Sequence, residues 1–398
     1  MAAPKRVAIL GSTGSIGRQA LDVIAAHPQR FSACALAAGS NVALLAEQCR
    51  RFRPDVVSCR TAELAAELST QLGPDGDDIR FGNGESGLRA VAAESDADVA
   101  LAATDGLVSC GAVFAAVRVG IDVALANKEI AVAAGEPLLA AARESGSRVL
   151  PVDSEHGAVF QCLAGEDRDS VSAIVLTASG GPFVDFAPAA LASVTPAQAL
   201  VHPTWSMGPK NTLDSATLMN KGLEAIEACR FFDVAPAQVE VVVHRQSVAH
   251  AFVIFCDGSV KAQIASPDMR MPIGFALAYP ERLREPVALP LTRRAIGLEG
   301  RASTWTFEPV DHARFPCVRL AYRAVEAGGT YPAVLSAANE EAGRAFMQGK
   351  IRFVDIGAIV AAALDAHDAQ PARLPEIEES DRWARSFTRD VVQGAPRA

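Results

Sequence analysis

Over its first 150 residues the chain alternates short, mostly apolar runs with amphipathic stretches. The runs fall at 6–10, 34–37, 56–58, 99–102, 122–126 and 148–151, and segments such as 17–26 and 42–52 between them space their apolar residues as helices do. Unbroken apolar runs mark strands buried on both faces, and helices between them supply the crossovers of a parallel sheet. The pattern predicts a doubly wound, Rossmann-like α/β domain over 1–150.

From Asp153 the texture changes. A helix at 157–163 leads to a strand at 171–176 and a turn at Gly180-Gly181-Pro182, and a longer helix is expected over about 215–232. Strands follow at 239–244, 250–256 and 259–265, with Asp257-Gly258 as a strong hairpin signal between the last two. This predicts an α+β domain with antiparallel strands over 151–284. Residues 285–304 carry Pro, Leu and Arg without a period and read as a linker, extended here to 310. Helical spacing at 318–327, 332–348, 356–368 and 376–392 predicts a C-terminal helical domain over 311–398.

Composition narrows the partners. With 37 Lys and Arg against 46 Asp and Glu, and no basic run, the chain lacks the basic face that grips nucleic acid or an anionic membrane surface. The most apolar region, 99–126, is interrupted by Asp105, Arg118 and Asp122, so no membrane span is expected. None of the 8 cysteines forms a Cys-x-x-Cys pair or stands at zinc-site spacing from a histidine. The start, MAAPKRVAIL, runs straight into a strand without a signal-type apolar segment. Reduced thiols in a cytoplasmic protein are expected.

Candidate chemistry begins at the first strand, where Gly11, Gly14 and Gly17 lie between it and a helix beginning near Ser15. Glycines there permit a tight turn, close approach to a pyrophosphate and tight helix–strand packing, while the helix start offers free N–H groups. A dinucleotide is expected. The second strand ends Leu36-Ala37-Ala38-Gly39-Ser40-Asn41, without the carboxylate that usually holds an NAD ribose, which favours NADP. Arg60, after the third strand, is one candidate for a basic partner of the 2′-phosphate.

Asp153 and Glu155 follow the last strand of the sheet and, in an extended chain, point to one side. Paired carboxylates suit Mg²⁺ or a similar hard ion, or are two acids in a solvated loop. Ser215 reads as a helix N-cap, and Asn220, Lys221 and Glu224 then crowd one helix face, fit for a phosphate and a third metal ligand; the plain alternative is a surface Lys–Glu pair. Ser179, before Gly180, offers a hydroxyl to phosphate or belongs to an ordinary turn. The loop His202–Gly208, with Trp205 and Met207, reads as a lid over substrate or as a packed loop.

In family order, GSTGSIG, ALANKE, PVDSEH, SGGPF, HPTWSMG, DSATLMNKGLE and DGSVKAQIASPDMR resemble the 1-deoxy-D-xylulose 5-phosphate reductoisomerase family, and the resemblance runs from Arg6 to the AANE segment at Asn339. It implies an NADPH- and metal-dependent homodimer that rearranges and reduces this phosphorylated sugar in the non-mevalonate isoprenoid pathway. It implies NADPH contacts at Thr13, Gly14, Ser15, Ile16, Gly39, Ser40, Asn41, Asn127, Glu129 and Gly208. A Mg²⁺ or Mn²⁺ ion would rest on Asp153, Glu155 and Glu224, with Lys128, Ser154 and His202 on the substrate's oxygen-bearing carbons. Ser179, Ser215, Asn220 and Lys221 would hold the phosphate, and Trp205 and Met207 would form a mobile flap. Lys128, Asp153, Glu155, His202 and Glu224 make the implied catalytic set. The chain departs from the family pattern at Ser40, often Lys, at Ile130, usually Ser, and at Arg245, usually Pro. An ordinary NADP-linked dehydrogenase of a phosphorylated aldehyde and a non-catalytic NADP(H) sensor are the alternatives.

Overall fold

In a computed structural model that describes residues 3–205, 207–293, 295–299 and 303–394, the chain divides into two units. The first holds residues up to Ile130 with Leu138–Gly157 and Asp268–Leu289. Its sheet contains β1 (Lys5–Leu10), β2 (Phe31–Ala37), β3 (Val56–Cys59), β4 (Arg80–Asn83), β5 (Val99–Ala102), β6 (Asp122–Leu125) and β7 (Val149–Pro151). The order is β4-β3-β2-β1-β5-β6-β7, with every pair parallel. Val7 to Leu10 and Val99 to Ala102 are buried, as central strands covered on both faces must be. Strand order reverses between β1 and β5, and ligands of open α/β sheets bind at that crevice, beyond the strands' C-terminal ends. The glycine turn follows β1 and therefore stands there.

Six of these strands coincide with the apolar runs. The seventh, β4, has the sequence RFGN and no buried residue. An edge strand needs no apolar run, so periodicity passed over it. Asp268–Leu289, expected as the end of the second domain to 284 and then as linker, belongs to the first unit instead. Its helix Arg270–Ala278 approaches the helix Ser15–Ala26 so closely that a Cβ on Gly274 would lie 3.7 Å from Val23, and Lys5 Nζ donates to the Leu277 carbonyl at 3.1 Å. An apolar helix needs a face to cover, and sequence order does not say which sheet supplies it.

The second unit centres on a mixed sheet of β8 (Val171–Ala178), β9 (Val239–Val243), β10 (Ala249–Phe255), β11 (Val260–Ile264) and β12 (Glu308–Pro309), in the order β11-β10-β8-β9-β12. β8 and β9 are parallel; the other pairs are antiparallel, including the expected hairpin of β10 and β11. The C-terminal helices are present, but they do not build a separate core. Ile174, Leu176 and Val253 of the sheet share one apolar cluster with Leu223, Ile226, Ala321, Val334, Val360 and Ala384 of the helices. The expected linker 285–310 likewise contributes β12, paired to β9. Sheet and helices each have a face to bury, and they bury it against each other. No described helix is long and apolar enough to cross a membrane.

Candidate active site

In the first unit the glycine turn is fastened from both sides. Gly11 and Ser12 both donate their N–H to the Ala37 carbonyl at the end of β2, at 2.9 and 2.8 Å. Ser12 Oγ donates to Gln48 Oε1 at 2.8 Å, while Gln48 Nε2 donates back to the Ser12 carbonyl at 2.9 Å. A Cβ on Gly17 would stand 2.2 Å from the Gly11 carbonyl oxygen, so only glycine lets the helix Ser15–Ala26 pack on the turn. Thr13 and Ile16 are half-buried, Gly14 and Ser15 exposed, and no side chain caps the helix. Its first N–H groups therefore remain for an anion. Gly39, Ser40 and Asn41 line the adjoining end of β2, all exposed, and the Asn41 side chain caps the helix Val42–Phe52 through Leu44 N.

β6 and β7 are neighbours, which sets Lys128 and Asp153 side by side beyond their ends. Asn127 caps the helix Lys128–Ser145 through Ile130 N, and its amide donates to the carbonyls of Thr104 and Gly106. Glu129 is buried beside it. Ile130, one of the departures, is fully buried. The Asp153 carbonyl accepts from Gly157 N at 2.7 Å, so the helix Ser154–Cys162 begins directly after it. This corrects the extended geometry expected for Asp153 and Glu155: the helix starts three residues before the expected 157, so Asp153 immediately precedes it and Glu155 lies in its first turn. Lys128 Nζ donates to Asp153 Oδ2, and His156 Nδ1 lies 3.6 Å from the same oxygen. Burial pushes the Asp153 carboxyl upward, but the Lys128 ammonium and His156 outweigh it and hold the group well below the ordinary carboxylate range. Ser154 Oγ donates to Glu155 Oε2 at 2.6 Å.

In the second unit the expected helix at 215–232 is two helices, Pro209–Ala216 and Met219–Phe232, broken where Leu218 takes φ +58°. Ser215 is thus in the last turn of the first helix, not an N-cap as expected. Pro209 in the first turn was a legible sign of the earlier start; a left-handed leucine has no sequence signal. The break turns Ser215 toward Ser179. Gly181, with φ +69°, comes so near that a Cβ would be 2.6 Å from the Ser215 carbonyl oxygen. His202 joins them: its Nε2 is 3.1 Å from Ser179 Oγ and 2.9 Å from Ser215 Oγ. Its Nδ1 accepts from the N–H of Thr204 and Trp205 at 3.1 and 2.8 Å, which places the ring proton on Nε2. Burial, then the Lys221 charge, lowers the His202 pKa to about 4.

Asn220 Nδ2 donates to Glu224 Oε1 at 2.6 Å and Lys221 Nζ to Glu224 Oε2 at 2.5 Å. Lys221 and Glu224 are both buried, so the surface-pair alternative is excluded. Trp205 stands 6.2 Å from the His250 ring; Met207 is half-buried, Gly208 leads into the helix Pro209–Ala216, and Ser206 lies outside the described residues. Two buried partners beside Ser215 escaped sequence reasoning. Asp214 accepts from Asn339 Nδ2 at 2.7 Å and pairs with Lys210 Nζ at 2.9 Å. Arg245, the third departure, bridges Asp185 and Glu308, which raise its pKa.

Comparison with known proteins gives a consistent answer. A family model described as 1-deoxy-D-xylulose 5-phosphate reductoisomerase matches residues 7–135, that of its C-terminal domain matches 149–232, and a DXP reductoisomerase C-terminal domain model matches 264–387. The chain is 48% identical over 397 residues to 1-deoxy-D-xylulose 5-phosphate reductoisomerase of Gloeobacter violaceus, covering 98% of each. It is 50% identical to that of Symbiobacterium thermophilum, covering 97% of this chain and 98% of the relative. Among solved structures, the Zymomonas mobilis enzyme in complex with NADPH is 41% identical with TM-score 0.90, covering 98% of this chain and all of that one. A DOX-P reductoisomerase in complex with NADPH, fosmidomycin and magnesium is 36% identical with TM-score 0.91, covering 98% of each.

Proposed function

The chain belongs to the 1-deoxy-D-xylulose 5-phosphate reductoisomerase family, and from that premise we propose that it converts 1-deoxy-D-xylulose 5-phosphate to 2-C-methyl-D-erythritol 4-phosphate, a step of the non-mevalonate isoprenoid pathway. NADPH is the reductant and a divalent metal, Mg²⁺ or Mn²⁺, is required. The observation that carries this reading is the polar group of the second unit, where Ser179 and Ser215 meet on one imidazole nitrogen and the Lys221 charge acts on the same ring. Hydroxyls and a buried ammonium are the donors a phosphate dianion needs.

Ser179, Ser215, Asn220 and Lys221 would hold that phosphate, away from the reacting carbons, so that its binding energy orients the rest of the sugar. His202 keeps its proton on Nε2 and donates it toward the substrate side, while Nδ1 anchors the start of the flap that carries Trp205 and Met207. Lys128 keeps Asp153 ionised and, with Ser154, would contact the substrate's oxygens. Asp153, Glu155 and Glu224 would hold the metal; ionised carboxylates are the oxygen donors such ions prefer. Bound there, the ion supplies Lewis acidity toward the substrate's oxygens. Thr13, Gly14, Ser15 and Ile16, with Gly39, Ser40, Asn41, Asn127, Glu129 and Gly208, would hold NADPH, which supplies hydride. The open surface at Gly39, where a Cβ would meet nothing within 4 Å, and the uncapped helix start fit a nucleotide.

The decisive experiment is NADPH consumption by the purified chain with 1-deoxy-D-xylulose 5-phosphate and Mg²⁺, with the product identified by mass and NMR. No consumption, or reduction without rearrangement of the carbon skeleton, overturns the proposal. We further propose that the chain is a cytoplasmic homodimer. β11 is an edge strand of its sheet, and its Val260 and Ile264 are 54% and 37% exposed, an apolar surface that a second copy would cover. Light scattering at twice the chain mass is the expected result.

A further inference from the structure

We propose that Arg60 is the residue that selects NADPH over NADH in this chain, by pairing with the 2′-phosphate. The inference rests on the NADPH reading above and adds the one group that reading leaves unassigned, a cation for the phosphate that distinguishes the two nucleotides. The turn after β2 carries Gly39, Ser40 and Asn41, all uncharged, so a dianion there has no charged partner in its own turn.

The sheet brings one in from the next strand. Ala37 of β2 pairs with Ser58 of β3, and the parallel ladder continues past both strands: Ala38 N donates to the Ser58 carbonyl at 2.9 Å, and Arg60 N donates to the Gly39 carbonyl at 3.1 Å. Arg60 is therefore fixed by its backbone beside Gly39, one residue from Ser40. Its side chain is exposed, and among the described residues nothing engages its guanidinium. Other arginines of this unit are paired with acids: Arg6 with Asp55, and Arg50 and Arg53 with Asp75. The surface at Gly39 is open, and the adjacent 11-residue helix Val42–Phe52 directs the positive end of its dipole at Ser40 and Asn41. A planar guanidinium matches a phosphate with two parallel N–H donors, and the Ser40 hydroxyl and that helix start complete a site for a dianion. The absence of an acid at the end of β2 removes the group that would repel it.

The test measures binding, not turnover. Dissociation constants of NADPH, NADH, 2′,5′-ADP and 5′-AMP are determined by nucleotide fluorescence and calorimetry for the unaltered chain, Arg60→Ala and Arg60→Lys. In Arg60→Ala, NADPH and 2′,5′-ADP should weaken about tenfold or more, the scale of one charge-assisted hydrogen bond, while NADH and 5′-AMP stay unchanged. Arg60→Lys should recover part of the loss. Unaltered NADPH affinity in Arg60→Ala, or equal loss for both nucleotide pairs, overturns the assignment and leaves the NADPH reading standing. An unaltered chain that binds NADH as tightly as NADPH overturns both.

Discussion

At His202 two backbone N–H groups aim at Nδ1, and a protonated ring would have to give both up. Burial adds to this, so the folded pKa of about 4 lies below the ordinary 6.5. The unfolded chain takes the proton first as pH falls. The stability that neutral His202 contributes is therefore complete above pH 6.5 and lost as pH drops from there toward 4. A ¹⁵N titration should show the Nε2–H tautomer unchanged between pH 8 and 6; an imidazolium signal at pH 6 refutes it. Glu224 makes the second residue-scale prediction. Glu224→Gln keeps the shape but removes the carboxylate charge paired with the buried Lys221 ammonium, which should cost about 3 kcal/mol in urea unfolding. If the metal assignment holds, the variant also loses most of its activity, and extra Mg²⁺ restores little. Such residues were legible because each stands in a short, dense motif. Gln48 and Asn339 were not, because their partners lie 36 and 125 residues away in the chain.

The helix Pro209–Ala216 presents Ser215, and a buried bond from Asn339 on the helix Tyr331–Met347 ties it through Asp214. Asn339→Ala would leave the Asp214 oxygen without that donor, a cost of about 1–3 kcal/mol. We expect a higher KM for the phosphorylated substrate with NADPH binding unchanged; equal damage to both would mean general unfolding. In the other unit, Gly17→Ala forces a methyl to within 2.2 Å of a carbonyl oxygen. The helix must move off the turn, at about 1–3 kcal/mol, and NADPH affinity should fall at least tenfold by fluorescence titration. Helix 42–52 was legible to its ends, since Asn41 caps it and its apolar face is periodic. The break at Leu218 was not, because no residue type announces a left-handed leucine.

For the whole molecule, the reading requires that activity vanish in EDTA and return with Mg²⁺ or Mn²⁺, while the circular dichroism of the fold stays the same. Turnover that persists in EDTA would favour a simple NADP-linked dehydrogenase. The chain's own pattern determined the α/β character of the first 150 residues, the glycine turn, the missing acid after β2, and the acids at Asp153, Glu155 and Glu224. These follow from local rules: periodicity reports burial, and short motifs carry their chemistry with them. Only the tertiary structure decided that residues 268–289 return to the first unit, that the C-terminal helices share the core of the second sheet, and that Arg60 stands beside Gly39. Each of these depends on which apolar face covers which, or on which strand lies next to which. Burial energy rewards any complementary face alike, so the choice is made by the packing of the whole chain and is not written in any one segment.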